Sequence, residues 1–169
     1  MTSAPEAILI AGANGAGKTT FARQSLQVRY PSARFLNADE IQREGPAWAH
    51  PVAAGRELVR RLDEAANSRL TFAIETTLSS RRYLDKLREW SALGYRTVLH
   101  FIQLPSANCA VQRVAARVVA GGHAVPEVDV RRRFERGLQL LPDYKQHVDR
   151  WYHWISDNQG LRLDAYYPA

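Results

Sequence analysis

The chain is poor in several features that mark other classes of protein. It has a single cysteine, Cys109, so no internal disulfide can form and a reducing compartment is expected. Lysine is scarce, with only Lys18, Lys86 and Lys145; the other basic charges are arginine. No apolar run approaches the roughly 20 residues of a membrane helix. After a polar arm, Met1 to Glu6, the apolar run before Gly12 is too short for a secretory signal. Linkers, repeats and low-complexity tracts are also missing. A cytoplasmic protein with no membrane partner is therefore expected.

What is present fits one globular domain over residues 1–169, with 46% hydrophobic and 24% charged residues. Lys+Arg 23 against Asp+Glu 17 leaves +6, a balance that favours anionic partners such as nucleotides, phosphorylated metabolites, nucleic acid or acidic lipid. Short apolar runs alternate with longer amphipathic ones, the pattern of a parallel α/β sheet. Strands are predicted at Ala7–Ala11, Arg34–Asn37, Leu70–Glu75, Arg96–Leu104 and Trp151–Ile155. A further one, Leu161–Ala165, pairs through the turn Asn158–Gly160. Helices are predicted at Lys18–Val28, Pro51–Asn67, Ser80–Leu93, Ala107–Val119 and Val128–Asp149. Ser79 or Ser80 is placed to cap the third helix, Gly94 to end it, and Pro142 to kink or break the last.

Residues 12–19, Gly-Ala-Asn-Gly-Ala-Gly-Lys-Thr, match G-x-x-x-x-G-K-[ST] in full, between a strand and a helix. Gly12, Gly15 and Gly17 allow left-handed turns and close approach to phosphate oxygens, with Ala13, Asn14 and Ala16 between them. Lys18 is placed to reach the β- and γ-phosphates, Thr19 to join a Mg²⁺ shell, and Thr20 to open the helix. The spacing is not the dinucleotide G-x-G-x-x-G. A nucleoside triphosphate site, with ATP and Mg²⁺ as cofactors, is the expectation.

The run Arg96–Leu104 ends without the carboxylate of a large ATPase, and no N-K-x-D reads guanine. Acid instead stands at two other strand ends, Asp39 just past the second and Glu75 at the tip of the third, where strand ends should meet the phosphate loop. A kinase needs such a carboxylate to take or orient the acceptor's proton. Thr76 and Thr77 add hydroxyls beside Glu75. Arg113 and Arg117 share a helix face, Gly121-Gly122-His123 breaks the chain, and Arg131, Arg132, Arg133 and Arg136 follow. Together they read as an arginine-bearing flap over the phosphates, about residues 113–136. Arg131 is also spaced to pair with Glu135, and Arg133 lies near the apolar stripe formed by Val130, Phe134, Leu138 and Leu141. Trp151, Tyr152 and Trp154 read as core packing rather than adenine stacking. Asp157-Asn158 and Pro46–Pro51, with Trp48 and His50, are candidate borders of the adenine and acceptor sites.

Asn14 to Thr20, Leu36-Asn37-Ala38-Asp39, Ala54-Gly55-Arg56, Glu75-Thr76-Thr77-Leu78-Ser79 and Gly121-Gly122-His123 together resemble zeta-toxin-like P-loop kinases, over roughly residues 6–160. The resemblance implies a three-layer α/β/α P-loop NTPase fold, with a mainly parallel five-stranded sheet and a helical lid. It also implies ATP- and Mg²⁺-dependent phosphorylation of a nucleotide sugar such as UDP-N-acetylglucosamine, and an antitoxin as partner. In that frame Lys18, Asp39 and Arg117 are catalytic, with Asp39 the general base. Thr19 holds metal, and Arg113 joins the loop residues at the nucleotide. Asp39, Arg56, Glu75, Thr76 and Arg132 border the acceptor. Ala13 departs from a common proline, and the second lid arginine falls near His123, so Arg131 or Arg132 would stand in for it. The chain matches the compact branch, whose acceptor could instead be a nucleoside, antibiotic or nucleic-acid end; a nucleic-acid partner is not expected. A non-catalytic ATP-binding module is the other reading.

Overall fold

A computed structural model describes residues 4–168. Strand β1 (Glu6–Ala11) runs into the glycine loop, then α1 (Lys18–Phe21), a π-helical turn (Ala22–Leu26) and α2 (Gln27–Arg29). There follow β2 (Arg34–Leu36), α3 (Ala38–Arg43), a 3-10 turn (Pro46–Trp48) and α4 (Pro51–Asn67). The second half holds β3 (Phe72–Thr76), α5 (Arg82–Ala92), β4 (Arg96–Gln103), α6 (Ala107–Val119), α7 (Glu127–Gln146), β5 (Arg150–Asp157) and β6 (Gly160–Tyr167).

The sheet order is β2-β3-β1-β4-β5-β6. The first five strands are parallel, and β6 folds back antiparallel on β5. The expected five-stranded sheet is thus extended by a hairpin, whose turn is closed by Asp157 Oδ1 accepting from the Gln159 amide at 2.8 Å. Ala7 to Ala11 have no exposed surface, because the central strand is covered on both faces, which explains its unbroken apolar run. On one face Leu9, Phe72, Ile74 and Leu99 meet Leu58, Leu62, Leu87, Trp90 and Tyr144. On the other, Ile8, Ile10, Val98 and Ile102 meet Phe21, Leu26, Ala110 and Val114. The result is three layers, α/β/α.

Some boundaries differ from expectation for local reasons. Neither Ser79 nor Ser80 caps α5; its N-cap is Arg81, and the Ser79 hydroxyl is bonded to that of Thr77 at 2.8 Å. Gly94 does end that helix in a left-handed conformation, φ 78, with the Tyr95 amide closing onto the Trp90 carbonyl at 3.0 Å. Pro142 does not break α7, which continues to Gln146. Proline's fixed φ suits a helix, and Leu141 and Tyr144, buried on either side, hold the last turn in the core.

His100, in β4, is a core histidine. Its ring stacks on Tyr152 with centroids 4.7 Å apart, and its Nδ1 accepts from Trp154 Nε1 at 3.2 Å. Tyr152 and Trp154 are therefore core packing, as read from the strand. Burial pushes the His100 pKa from 6.5 down to about 3. Below pH 6.5 the unfolded chain takes up a proton that the folded chain refuses until about pH 3. Stability present above 6.5 is thus lost as pH falls through that window. One such proton is worth about 2 kcal/mol at pH 5. Denaturant titrations from pH 7.5 to 5 should show this decline, and His100→Gln should flatten it; an equal slope in the variant would remove His100 as its source.

Candidate active site

The C-terminal ends of β1, β2 and β3 converge on one edge, and the loop Gly12–Gly17 sits there. Ala11 pairs with Thr76, and the Gly12 amide donates to the Thr76 carbonyl at 3.2 Å, so the loop and the end of β3 are one piece. Two glycines are obligatory. Gly12 has φ 147, and a Cβ there would lie 2.4 Å from the Ile102 carbonyl oxygen. Gly15 has φ 79, and a Cβ would lie 3.0 Å from that of Arg113, because α6 lies directly against the loop. Ala13 and Ala16 face inward and are buried.

The loop borders a cavity of about 390 Å³, lined on its side by Asn14, Gly15, Gly17, Lys18, Thr19 and Thr20. Across it lie Asn37, Asp39, Glu75, Thr76 and Thr77. Arg113, Arg117 and Arg133 supply the third wall. That size suits the phosphate end of a nucleotide.

Lys18 Nζ donates to the carbonyls of Gly12 at 2.8 Å and Ala13 at 3.0 Å. Burial lowers its pKa to about 8, opposed by the Glu75 and Asp39 carboxylates and reinforced by Arg117 and Arg133. Glu75 is pushed up by burial, against the pull of Thr19, Lys18 and Asn37. Its Oε1 is buried without a hydrogen-bond partner. An orphaned carboxylate oxygen beside the Thr19 hydroxyl is a hard-oxygen donor set of the kind Mg²⁺ takes, with phosphate oxygens completing its shell. The residues present fit that ion.

Asn37, buried at the end of β2, caps α3: its Oδ1 accepts from the Asp39 amide at 2.8 Å. That cap turns the chain so that Asp39 sits at the cavity. The strand expected over Arg34–Asn37 thus stops at Leu36. The sequence signal for the cap is an Asn followed closely by acidic residues, a helix-start pattern.

The arginines sort differently from expectation. Arg113 borders the cavity, but its guanidinium is tied to the end of β5, donating to Ser156 Oγ at 2.7 Å and the Asp157 carbonyl at 3.2 Å. It braces the wall and is not free to swing. Arg117 lines the cavity and donates to the His123 carbonyl at 3.0 Å. Arg132 is outside, paired with Asp129 at 2.7 Å. Arg131 pairs with Glu127, not Glu135, and with Asn108. The arginine of α7 that reaches the site is Arg133, 3.3 Å from Asn14 Oδ1. Helical spacing explains the choice. Arg133 shares a face with buried Val130 and Gly137, at i−3 and i+4, while Arg132 is turned about 100° away. Arg56 is also elsewhere, in an open groove with Val52 and Val59 on α4 and Arg82 on α5.

A second cavity, of about 210 Å³, adjoins the first. It is lined by Asp39, Gln42, Arg43, Ala49 and His123. Asp39 lines both. From the segment Pro46–Pro51, Ala49 reaches this cavity, whereas Trp48 packs on the core and His50 caps α4 through its ring.

Residues 1–160 match the family described as zeta toxin. The chain belongs to that family. An uncharacterized protein of Haemophilus influenzae is 28% identical over 132 residues, 76% of this chain and 92% of that one. Among solved structures, the toxin-antitoxin system PezAT of Streptococcus pneumoniae superposes with a TM-score of 0.74 at 15% identity, over 98% of this chain and 72% of that one. The AvrRxo1-ORF1:-ORF2 structure with ATP gives 0.68 at 15% identity, covering 96% of this chain and 58% of that one. At such identities the likeness speaks for the fold alone, and it agrees with the three-layer architecture.

Proposed function

We propose that the protein is an ATP-dependent kinase that moves the γ-phosphoryl group to a hydroxyl of a small molecule. The observation that carries this reading is the placement of Asp39, the one residue common to the phosphate cavity and the adjoining one. A hydroxyl entering from the smaller cavity loses its proton to Asp39 as its oxygen bonds to the γ-phosphorus. The bond to the β–γ bridging oxygen breaks, and ADP departs. Lys18, Arg117 and Arg133 carry the positive charge that opposes the charge developing on the transferred group. Thr19 and Glu75 would hold a Mg²⁺ ion, which would supply charge neutralisation when bound. Arg117 and the turn Gly121–His123 serve as the closing element, excluding water that would compete with the acceptor.

Family membership supports a nucleotide sugar such as UDP-N-acetylglucosamine as the acceptor and an antitoxin as a protein partner. A single kinase domain in the cytoplasm completes the reading. Incubation with γ-labelled ATP, Mg²⁺ and UDP-N-acetylglucosamine, beside a cell metabolite extract, should give labelled product and ADP in equal amounts. ATP binding without acceptor-stimulated ADP release would reduce the protein to a nucleotide holder.

A further inference from the structure

Helix α3 carries three charged residues, Asp39, Glu40 and Arg43, and is followed by Glu44 as its C-cap; Gln42, which lines the smaller cavity, is its neutral polar side chain. Glu40 is engaged by Arg23 at 3.0 Å, and Glu44 by Arg61 at 2.7 Å. These two ion pairs clamp the helix from both flanks. Gln42 is spent on the Ala49 carbonyl at 2.6 Å, which fixes the far wall of the smaller cavity. Asp39 and Arg43 remain. They stand at i and i+4, both line that cavity, and Arg43 has no carboxylate partner among the described residues. His123, in the turn held by Arg117, also lines that cavity. A cavity with a carboxylate at its inner end and an uncommitted guanidinium one helical turn away, about 5–6 Å between Cβ atoms, is built for a ligand with two unlike ends.

Resting on the kinase reading, we propose that Arg43 is the specificity-determining anchor of the acceptor. It takes an anionic group, phosphate or carboxylate, that the acceptor carries roughly one helical turn from the hydroxyl facing Asp39. The guanidinium fork suits either anion, binding two oxygens at once. An uncharged polyol would leave it unused. The overall charge of +6 favours the same class of ligand. Arg43 acts by holding the acceptor, so it governs the acceptor's KM more than the turnover of the bound complex.

The test uses the full chain, as wild type, Arg43→Gln and Arg43→Lys. A metabolite extract is split on an anion exchanger, and each fraction is offered with γ-labelled ATP and Mg²⁺. Three defined probes are run beside it: N-acetylglucosamine, its glycosyl phosphate and the sugar acid N-acetylmuramic acid. Acceptor activity is expected in the retained fractions, with the phosphate and carboxylate probes showing which anion is preferred. For the acceptor so found, Arg43→Gln should raise KM about ten- to hundredfold, the range of one charge-assisted contact. Arg43→Lys should recover part of that loss, and the ATP dissociation constant should not move. Transfer confined to unretained fractions, or an unaltered acceptor KM in Arg43→Gln, would overturn the anchor while leaving the kinase standing. Transfer in no fraction, with ATP still bound, would overturn the kinase reading and the anchor with it.

Discussion

Asp39→Asn should lower the rate of transfer by roughly 10²- to 10⁴-fold, the usual contribution of a positioned general base, while ATP affinity stays within about twofold. The substitution is nearly isosteric, and the local structure does not depend on the carboxylate. Helix α3 is capped by Asn37, whose side chain accepts from the Asp39 backbone amide rather than from any side-chain atom of Asp39. Losing one negative charge in the first turn of a helix costs at most about 1 kcal/mol, so the melting temperature should move little. Asp39 also helps hold the Lys18 pKa up against burial, so its removal should let that pKa slip further down. Glu75 still opposes burial there and a bound triphosphate raises the Lys18 pKa again, so nucleotide binding survives. A kcat drop with an unchanged ATP dissociation constant separates loss of the base from loss of the site. Full activity in Asp39→Asn would remove Asp39 from the chemistry.

The phosphate loop was legible because its eight consecutive residues carry their own geometry: glycines where φ is positive and, at Gly12 and Gly15, a Cβ is crowded, then a lysine and a hydroxyl at a helix start. Asp39 and Glu75 were legible from topology, since residues at or just past the C-terminal ends of parallel strands must gather at one sheet edge. What escaped was set by contacts between distant parts of the chain. Helix α3 has six residues, too few to show a period, so Asn37 looked like the end of a strand. The sequence alone does not separate Arg133 from Arg132, because three successive arginines differ only in which helix face they occupy. That face is decided by where Val130 and Gly137 pack, Gly137 coming so close to the Thr77 carbonyl that a Cβ would lie 3.0 Å from it. Arg113 was expected at phosphate, and only the fold reveals that Ser156 and Asp157 hold its guanidinium. The smaller cavity was half visible: the segment after Gly45 was placed beside Asp39, but its closing residues come from α3 and from the turn near His123.

Lys18→Ala should weaken ATP binding and abolish turnover together, and its pH dependence identifies the cause. In the free protein burial holds the Lys18 pKa at about 8, with Glu75 and Asp39 resisting. A triphosphate adds negative charge beside the ammonium and raises its pKa in the complex. ATP therefore binds the protonated form preferentially. Affinity should be constant below about pH 8, then fall towards tenfold per pH unit until the pKa of the complex is reached. Removing the ammonium forfeits charge-assisted bonds to two phosphates, a loss of about 1.5–3 kcal/mol, or roughly ten- to 150-fold in affinity. It also strips Glu75 of a neighbouring cation, so its already elevated pKa should climb further. Calorimetric titration of ATP from pH 6.5 to 9.5 checks both points at once. The wild type should show the alkaline decline, with proton uptake on binding above pH 8, and Lys18→Ala should be weak and flat across the range. If the variant bound ATP like the wild type, or kept the same alkaline decline, the loop would not be holding phosphate through this ammonium.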